Sequence, residues 1–376
     1  MPAIARADTV GSLLRPAYLR EARQGRRTGS VSDAELRTAE DRAVREAIAL
    51  QEAAGLEVIN DGELRRGTWI VTTSATSGHT AIPTDPNEPY WLSLWKGPDT
   101  APPLVLNPPR RLYVTERIQE AWDIAQTEYA FLQAHAHTRT KCTIPAPSWH
   151  RVYWHPVHSR AAYPTAEDYL RAMRDYIQGV VQRVIALGCD YVQLDAPNYG
   201  MFQCDAEARA FFAAQGRDLA TELAFDVELD NAVFTGISGV TRALHVCRGN
   251  NAGGRWVANG GYEAVADALF PSLTNIDTLL LEYDTPRAGD FHPLRYVLPQ
   301  HTVVLGLLTT KSPVLEYASA VEARIQEASQ YVPLERLALS PQCGFASVEA
   351  GNPLTPADQE AKLRLVSQIA WRVWRA

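Results

Sequence analysis

The chain has 376 residues, 46% hydrophobic and 21% charged, the composition of a globular protein able to bury a large core. A net charge of −7 with no long lysine or arginine run argues against nucleic acid or an anionic membrane as partner and points to small-molecule chemistry. The opening Met-Pro-Ala-Ile-Ala-Arg-Ala-Asp has no basic region leading into an apolar core, and no run approaches the roughly 18 apolar residues of a membrane span, so a cytoplasmic location is expected.

Ala3 to Val10 reads as a first strand running into Gly11-Ser12, a tight turn where backbone can approach a ligand. Asp33 to Ala54 carries apolar residues at helical spacing, with Ser32 or Asp33 as N-cap and Gly55 as the stop. Glu57-Val-Ile-Asn60 reads as a second strand, followed by the polar segment Asp61-Gly-Glu-Leu-Arg-Arg-Gly67. The alternation then lapses. Pro83, Pro86, Pro89, Pro98, Pro102, Pro103, Pro108 and Pro109, with Trp91 and Trp95, mark residues 69–140 as an inserted excursion, a hairpin and a helix (Thr115 to His135) over one mouth of the fold.

Alternation resumes with a third strand at Cys142 to Pro147 and an aromatic loop (Trp149, His150, Tyr153, Trp154, His155, His158). Thr165 to Leu187 reads as an amphipathic helix capped by Thr165, and Asp190 to Asp195 as the fourth strand. Ala206 to Phe234 is helical in pattern, Arg242 to Cys247 is the fifth strand, and Tyr262 to Phe270 is helical. Thr278 to Glu282 and Thr302 to Gly306 are strands six and seven, Leu315 to Tyr331 is helical, Leu337 to Ser340 is strand eight, and Pro356 to Trp374 is a closing helix. Eight strands alternating with helices predict an α/β fold, a (β/α)8 TIM barrel forming one domain over residues 1–376. A doubly wound open sheet is the rival, but Gly11-Ser12 does not open a G-x-G-x-x-G turn.

In a barrel the polar residues at the strand ends converge on one mouth. Five dispersed cysteines (Cys142, Cys189, Cys204, Cys247, Cys343) are unlike a secreted disulfide framework and read as buried thiols with one or two metal ligands. His245 and Cys247 stand at i and i+2 of a strand and so face the same side. With Glu282 and Cys343 from other strand ends they form a set matched to Zn²⁺, the expected cofactor. Ligands from three strand ends, rather than paired C-x₂-C knuckles, predict an open site in which zinc activates a thiol as nucleophile.

The segments Thr9-Val-Gly-Ser-Leu-Leu-Arg15, Asp61-Gly-Glu63, Gln193-Leu-Asp-Ala-Pro197, His245-Val-Cys247, Leu281-Glu-Tyr-Asp284 and Ser340-Pro-Gln-Cys-Gly344 resemble the catalytic barrel of cobalamin-independent methionine synthase and its single-domain relatives. The resemblance runs nearly end to end. It implies zinc held by His245, Cys247, Glu282 and Cys343, and methyl transfer to homocysteine. It further implies that Gly11 and Ser12 bind the carboxylate of the thiol substrate while Glu63 and Asp195 bind its ammonium group.

Two departures follow. Full-length enzymes of this type carry an N-terminal barrel that helps bind polyglutamylated methylfolate, which 376 residues do not accommodate, so the donor is methylfolate or a methylated corrinoid, including one carried on a corrinoid protein. Where the large enzymes offer a histidine before Ser-Pro as proton donor, this chain has Lys311, a candidate catalytic donor or substrate clamp. A second reading is an epoxyalkane:coenzyme M transferase, in which a zinc-bound thiolate opens an epoxide and Arg65, Arg66 and Lys311 serve the sulfonate and alkoxide. A third, non-enzymatic reading is a barrel with a structural zinc acting as a binding subunit, and oligomerisation is compatible with any of the three.

Overall fold

The computed structural model describes residues 2–98 and 104–375, so Pro102 and Pro103 of the excursion lie outside the described residues. Four short strands come first: β1 (His79–Pro83), β2 (Leu94–Trp95), β3 (Leu104–Val105) and β4 (Arg110–Val114). Six more form the main sheet: β5 (Cys142–Pro145), β6 (Tyr191–Asp195), β7 (Thr241–Val246), β8 (Thr278–Glu282), β9 (Thr302–Leu308) and β10 (Leu337–Pro341). They lie in chain order, every neighbouring pair is parallel, and helices connect them, which makes this an α/β fold.

The first two expected strands form no ladder of their own. Ala7 makes one parallel bridge to Leu339 of β10, Ile59 makes one to Thr140 just before β5, and Glu57 N donates to Ala7 O at 2.9 Å. These segments therefore link the two edge strands of the sheet through single contacts. The side chains sort accordingly. A small cluster takes Ala5, Val10, Val58, Tyr191, Ala243, Leu280, Val304 and Ala338, drawn from both bridged segments and from β6 to β10. The alternate residues, such as Val192, Leu244, Leu279, Leu305 and Leu339, enter the large core shared with the helices.

Helix ends follow local chemistry. Ser32 and Glu35 make a reciprocal capping box for Asp33–Ala53, as do Thr165 and Asp168 for Ala166–Ala186 and Thr355 and Asp358 for Pro356–Trp374. The helix expected over Ala206 to Phe234 is two, Ala206–Ala213 and Leu219–Val233, because Gly216 turns the chain at φ 74° and Asp218 caps a new start. The helix expected over Thr115 to His135 is shorter, a π-turn at Ala125–Tyr129 leading into Ala130–His135. The preceding residues are extended because they pair with residues 75–78: Thr115 N donates to Gly78 O and Ala121 N to Ala75 O. The N-terminal helix Ala17–Thr28 has only Leu19 and Arg23 buried, too few inward positions to give a periodic signal.

Within the excursion β1 pairs antiparallel with β4, and β2 with β3. It is tied to the sheet's loops by a bridge between Lys96 and Trp256 and by Lys96 Nζ, which lies 3.0 Å from Asp205 and 3.0 Å from Glu207. No helix among the described residues is long and apolar enough to cross a membrane.

Candidate metal centre

His245 sits in β7, Cys247 one residue beyond its end, and Cys343 two residues beyond β10. Their ligand atoms lie within 4.8 Å of one another and all three residues are buried. A tetrahedral zinc with bonds of roughly 2.0–2.3 Å needs donor atoms of this type at about this spacing. The Nδ1 of His245 faces Leu280 O at 3.2 Å, so that nitrogen carries the proton and Nε2 keeps its lone pair. Nε2 is buried and has no hydrogen-bond partner. An orphaned imidazole nitrogen beside two thiols fits a soft cation.

The two sulfurs are unequal. The hydrogen bond from Cys247 depresses the Cys343 thiol well below its ordinary value, helped by His245 and against the cost of burial. The same bond, with burial, drives Cys247 upward. His245 is lowered by burial but raised more by Cys343, Asp195 and Glu282, for a net upward shift. Gly200 presses against this corner: a Cβ there would lie 2.1 Å from the Cys247 carbonyl oxygen.

Glu282, the expected fourth ligand, is fully buried at the end of β8 but does not join the three-residue group. Its Oε1 is 2.5 Å from Arg287 Nη2 and 3.7 Å from Lys311 Nζ, and its Oε2 accepts from Arg248 N at 2.9 Å. Although burial opposes ionisation, Lys311, Arg287 and Arg248 hold the carboxyl well below the usual carboxylate range. Lys311 Nζ is buried with no hydrogen bond.

Above the three ligands opens a cavity of about 670 Å³, lined by His245, Cys247 and Cys343 together with Gly11, Ser12, Glu63 and Asp195. Every residue expected to grip the thiol substrate therefore shares one space with the metal group. Gly11 lies close under the acid: a Cβ there would meet Glu63 Oε1 at 2.6 Å and displace that carboxyl. Among the described residues Glu63 is the non-glycine with positive φ, 55°, a conformation held by Asp61, whose Oδ1 accepts from Glu63 N at 2.9 Å. Glu63 Oε1 accepts from Thr143 at 3.0 Å, while Oε2 is buried without a partner. Burial raises the Glu63 carboxyl against the pull of Arg66 and Arg15. Burial also pushes Asp195 up to about 7, despite His245 nearby. Two desolvated carboxyls facing one cavity form a site that a cation would neutralise.

Much of the remaining wall is apolar, formed by Trp69, Leu92, Trp95 and Leu106 of the excursion and by Trp149 and Tyr153, with Arg110, Arg111 and Asn250 among the polar residues beside them. Within the aromatic loop Trp149 and Tyr153 face the site, whereas His150 is a buried contact whose Nε2 lies 2.7 Å from Thr72 Oγ1. The excursion's lining residues, and Asn250, whose Nδ2 donates to Gly344 O at 2.6 Å, follow no periodicity that sequence could flag. Arg65 and Arg66 are neither solvated nor free: Arg65 pairs with Asp41 at 2.5 Å and Arg66 with Glu128 at 2.7 Å.

Comparison with known proteins narrows the reading. No family model matches the chain. It is 37% identical to the uncharacterized protein YxjH of Bacillus subtilis over 374 residues, covering 98% of this chain and 95% of that one. YxjG of the same organism is 35% identical over 379 residues, with the same coverage. The chain belongs to the YxjH and YxjG family. It is also 23% identical over 339 residues to the 5-methyltetrahydropteroyltriglutamate–homocysteine methyltransferase of Syntrophotalea carbinolica, of which it spans 39%. A vitamin-B12-independent methionine synthase candidate from Listeria monocytogenes superposes with a TM-score of 0.72 at 28% identity, covering 100% of this chain and 99% of that one. A B12-independent methionine synthase from Shewanella sp. W3-18-1, solved with selenomethionine, shares the fold at a TM-score of 0.71 and 17% identity, covering 99% and 98%. The structural neighbours of this chain are thus methionine synthase-like, and a homocysteine methyltransferase is among its sequence relatives.

Proposed function

We propose that this protein is a zinc-dependent thiol alkyltransferase that methylates homocysteine to methionine. On this reading the six parallel strands and the two bridged segments close as a (β/α)8 barrel, a single cytoplasmic domain in which residues 69–140 are an insertion over the mouth. The observation that carries the reading is one cavity holding both a His245, Cys247 and Cys343 group and the desolvated acids Glu63 and Asp195. Bound by His245, Cys247 and Cys343, with Glu282 as candidate fourth donor, Zn²⁺ supplies the Lewis acidity that keeps a thiol deprotonated near neutral pH.

The chain's own residues do the rest. The unpartnered Glu63 Oε2 and the Asp195 carboxylate take the ammonium of an amino-acid thiol, and Ser12 with the Gly11 backbone takes its carboxylate. This orients the sulfur toward Cys247 and Cys343. Trp69, Trp95, Trp149 and Tyr153 exclude water from the space through which the alkyl group arrives. Lys311 lies against Glu282 rather than among the cavity walls, so its first role is electrostatic, balancing that carboxylate. The coenzyme M reading loses support because Arg65 and Arg66, its sulfonate-binding candidates, are committed to Asp41 and Glu128.

Calorimetric titration of homocysteine into zinc-loaded protein, in two buffers of different ionisation enthalpy, tests the proposal. Binding with release of a thiol proton is expected. Absence of binding, or binding without proton release, contradicts it.

A further inference from the structure

Beneath the acid pair lies a run of buried polar groups that the proposed chemistry does not use. Asp8 and Lys141 form an ion pair at 2.7 Å with both side chains wholly inaccessible. Asp8 Oδ1 also accepts from Thr9 N at 2.6 Å, and Asp8 Oδ2 from Tyr191 OH at 2.7 Å. Lys141 Nζ has a second acceptor, Gln193 Oε1, at 2.7 Å.

That last contact has a directional consequence. An ammonium only donates, so it selects the oxygen of the Gln193 amide and turns the nitrogen the other way. There Nε2 donates to Asp195 Oδ1 at 2.7 Å and to Val10 O at 2.9 Å. Asp195 is one wall of the cavity, and Val10 leads directly into Gly11 and Ser12 on another. One fully buried amide thus joins both halves of the substrate grip, with its sense set by Lys141. A buried ion pair is by itself a poor source of stability, since apolar residues of the same volume serve as well. Apolar residues cannot orient an amide.

We propose that the Asp8–Lys141 pair is a positioning device for substrate selection. Through Gln193 it fixes the Asp195 carboxylate and the Val10 to Ser12 backbone so that the cavity prefers a thiol bearing an ammonium group. This rests on the amino-acid thiol reading above and adds to it three positioning residues, Asp8, Lys141 and Gln193.

Two variants test it in the full zinc-loaded chain. Gln193→Glu keeps the volume and the Lys141 contact but replaces both N–H donors with an oxygen. Asp8→Asn with Lys141→Met removes both charges together and so leaves no lone buried ion. Calorimetry compares homocysteine with 4-mercaptobutanoate, which keeps the thiol and carboxylate and lacks the ammonium. Wild type should favour homocysteine, and each variant should lose at least about tenfold in homocysteine affinity while 4-mercaptobutanoate binding stays within about twofold. A purely structural role would weaken both ligands together or lower the thermal midpoint with the preference intact, and an unchanged preference in folded Gln193→Glu overturns the proposal even if the double variant fails to fold. Wild type that binds neither thiol is a separate failure, because it overturns the functional reading itself.

Discussion

Glu282 Oε1 lies 3.7 Å from Lys311 Nζ, and both side chains are almost wholly removed from solvent. A buried ammonium at that distance competes with any cation for the carboxylate and repels one held by the neighbouring sulfurs. Lys311→Met should therefore bind zinc more tightly, by roughly tenfold, on the scale of one screened charge interaction. Competition against a chromophoric chelator measures this. Unchanged or weaker zinc binding in the variant would show that Lys311 does not govern Glu282.

Cys343 is one of the two sulfurs of the three-residue group, and its loss should cost the metal heavily. Groups that merely support a metal ligand are worth about 10–100-fold in affinity, so Cys343→Ser should exceed roughly 100-fold. The ligands stand at strand ends rather than within the core, so far-UV circular dichroism of the variant and of chelated wild type should stay native. Unfolding on chelation would instead favour a structural zinc.

Glu63 Oε2 is a buried acceptor with no donor, held by a left-handed backbone. Glu63→Gln should weaken homocysteine binding by about 10- to 100-fold, the worth of a charge-assisted contact, and leave zinc content unchanged. Metal analysis beside calorimetry separates the two effects. Retained homocysteine affinity would remove Glu63 from the ammonium site.

Part of the three-residue group is legible in the sequence. His245 and Cys247, which the structure brings together with Cys343, stand out by strand spacing, and Cys343 by following an apolar run; Glu282 stands out in the same way but lies outside that group. The segments at residues 3–10 and 57–60 match the other strands in apolar composition, yet each makes a single bridge, with Asp8, Asn60 and Asp61 engaged in local polar contacts. The helical break at Gly216 is masked by helix-favouring alanines and glutamates on both sides. No local pattern reveals the Asp8–Lys141 pair, because its partners are 133 residues apart and meet only when distant segments pack. The excursion's lining residues are equally silent, being chosen for shape rather than period.

Asp230 gives a stability test at a residue outside the candidate ligand set. It is fully buried, accepts from Ser148 Oγ at 2.7 Å and Tyr199 OH at 2.7 Å, and burial pushes its carboxyl up to about 7. An unfolded aspartate titrates near 4, so the folded state binds this proton more tightly and stability falls as pH rises from about 4 to about 7, by at most about 4 kcal/mol. Asp230→Asn removes that slope. Urea unfolding at intervals between pH 5 and 8 should show wild type losing stability relative to the variant as pH increases, and parallel profiles would show that Asp230 does not titrate there.

The most direct measurement is X-ray absorption at the zinc edge of the loaded protein, before and after homocysteine. Two sulfurs, from Cys247 and Cys343, are expected around the metal at first, rising to three when the thiol binds. A sulfur count that stays at two in the presence of saturating homocysteine would contradict thiol activation at this centre.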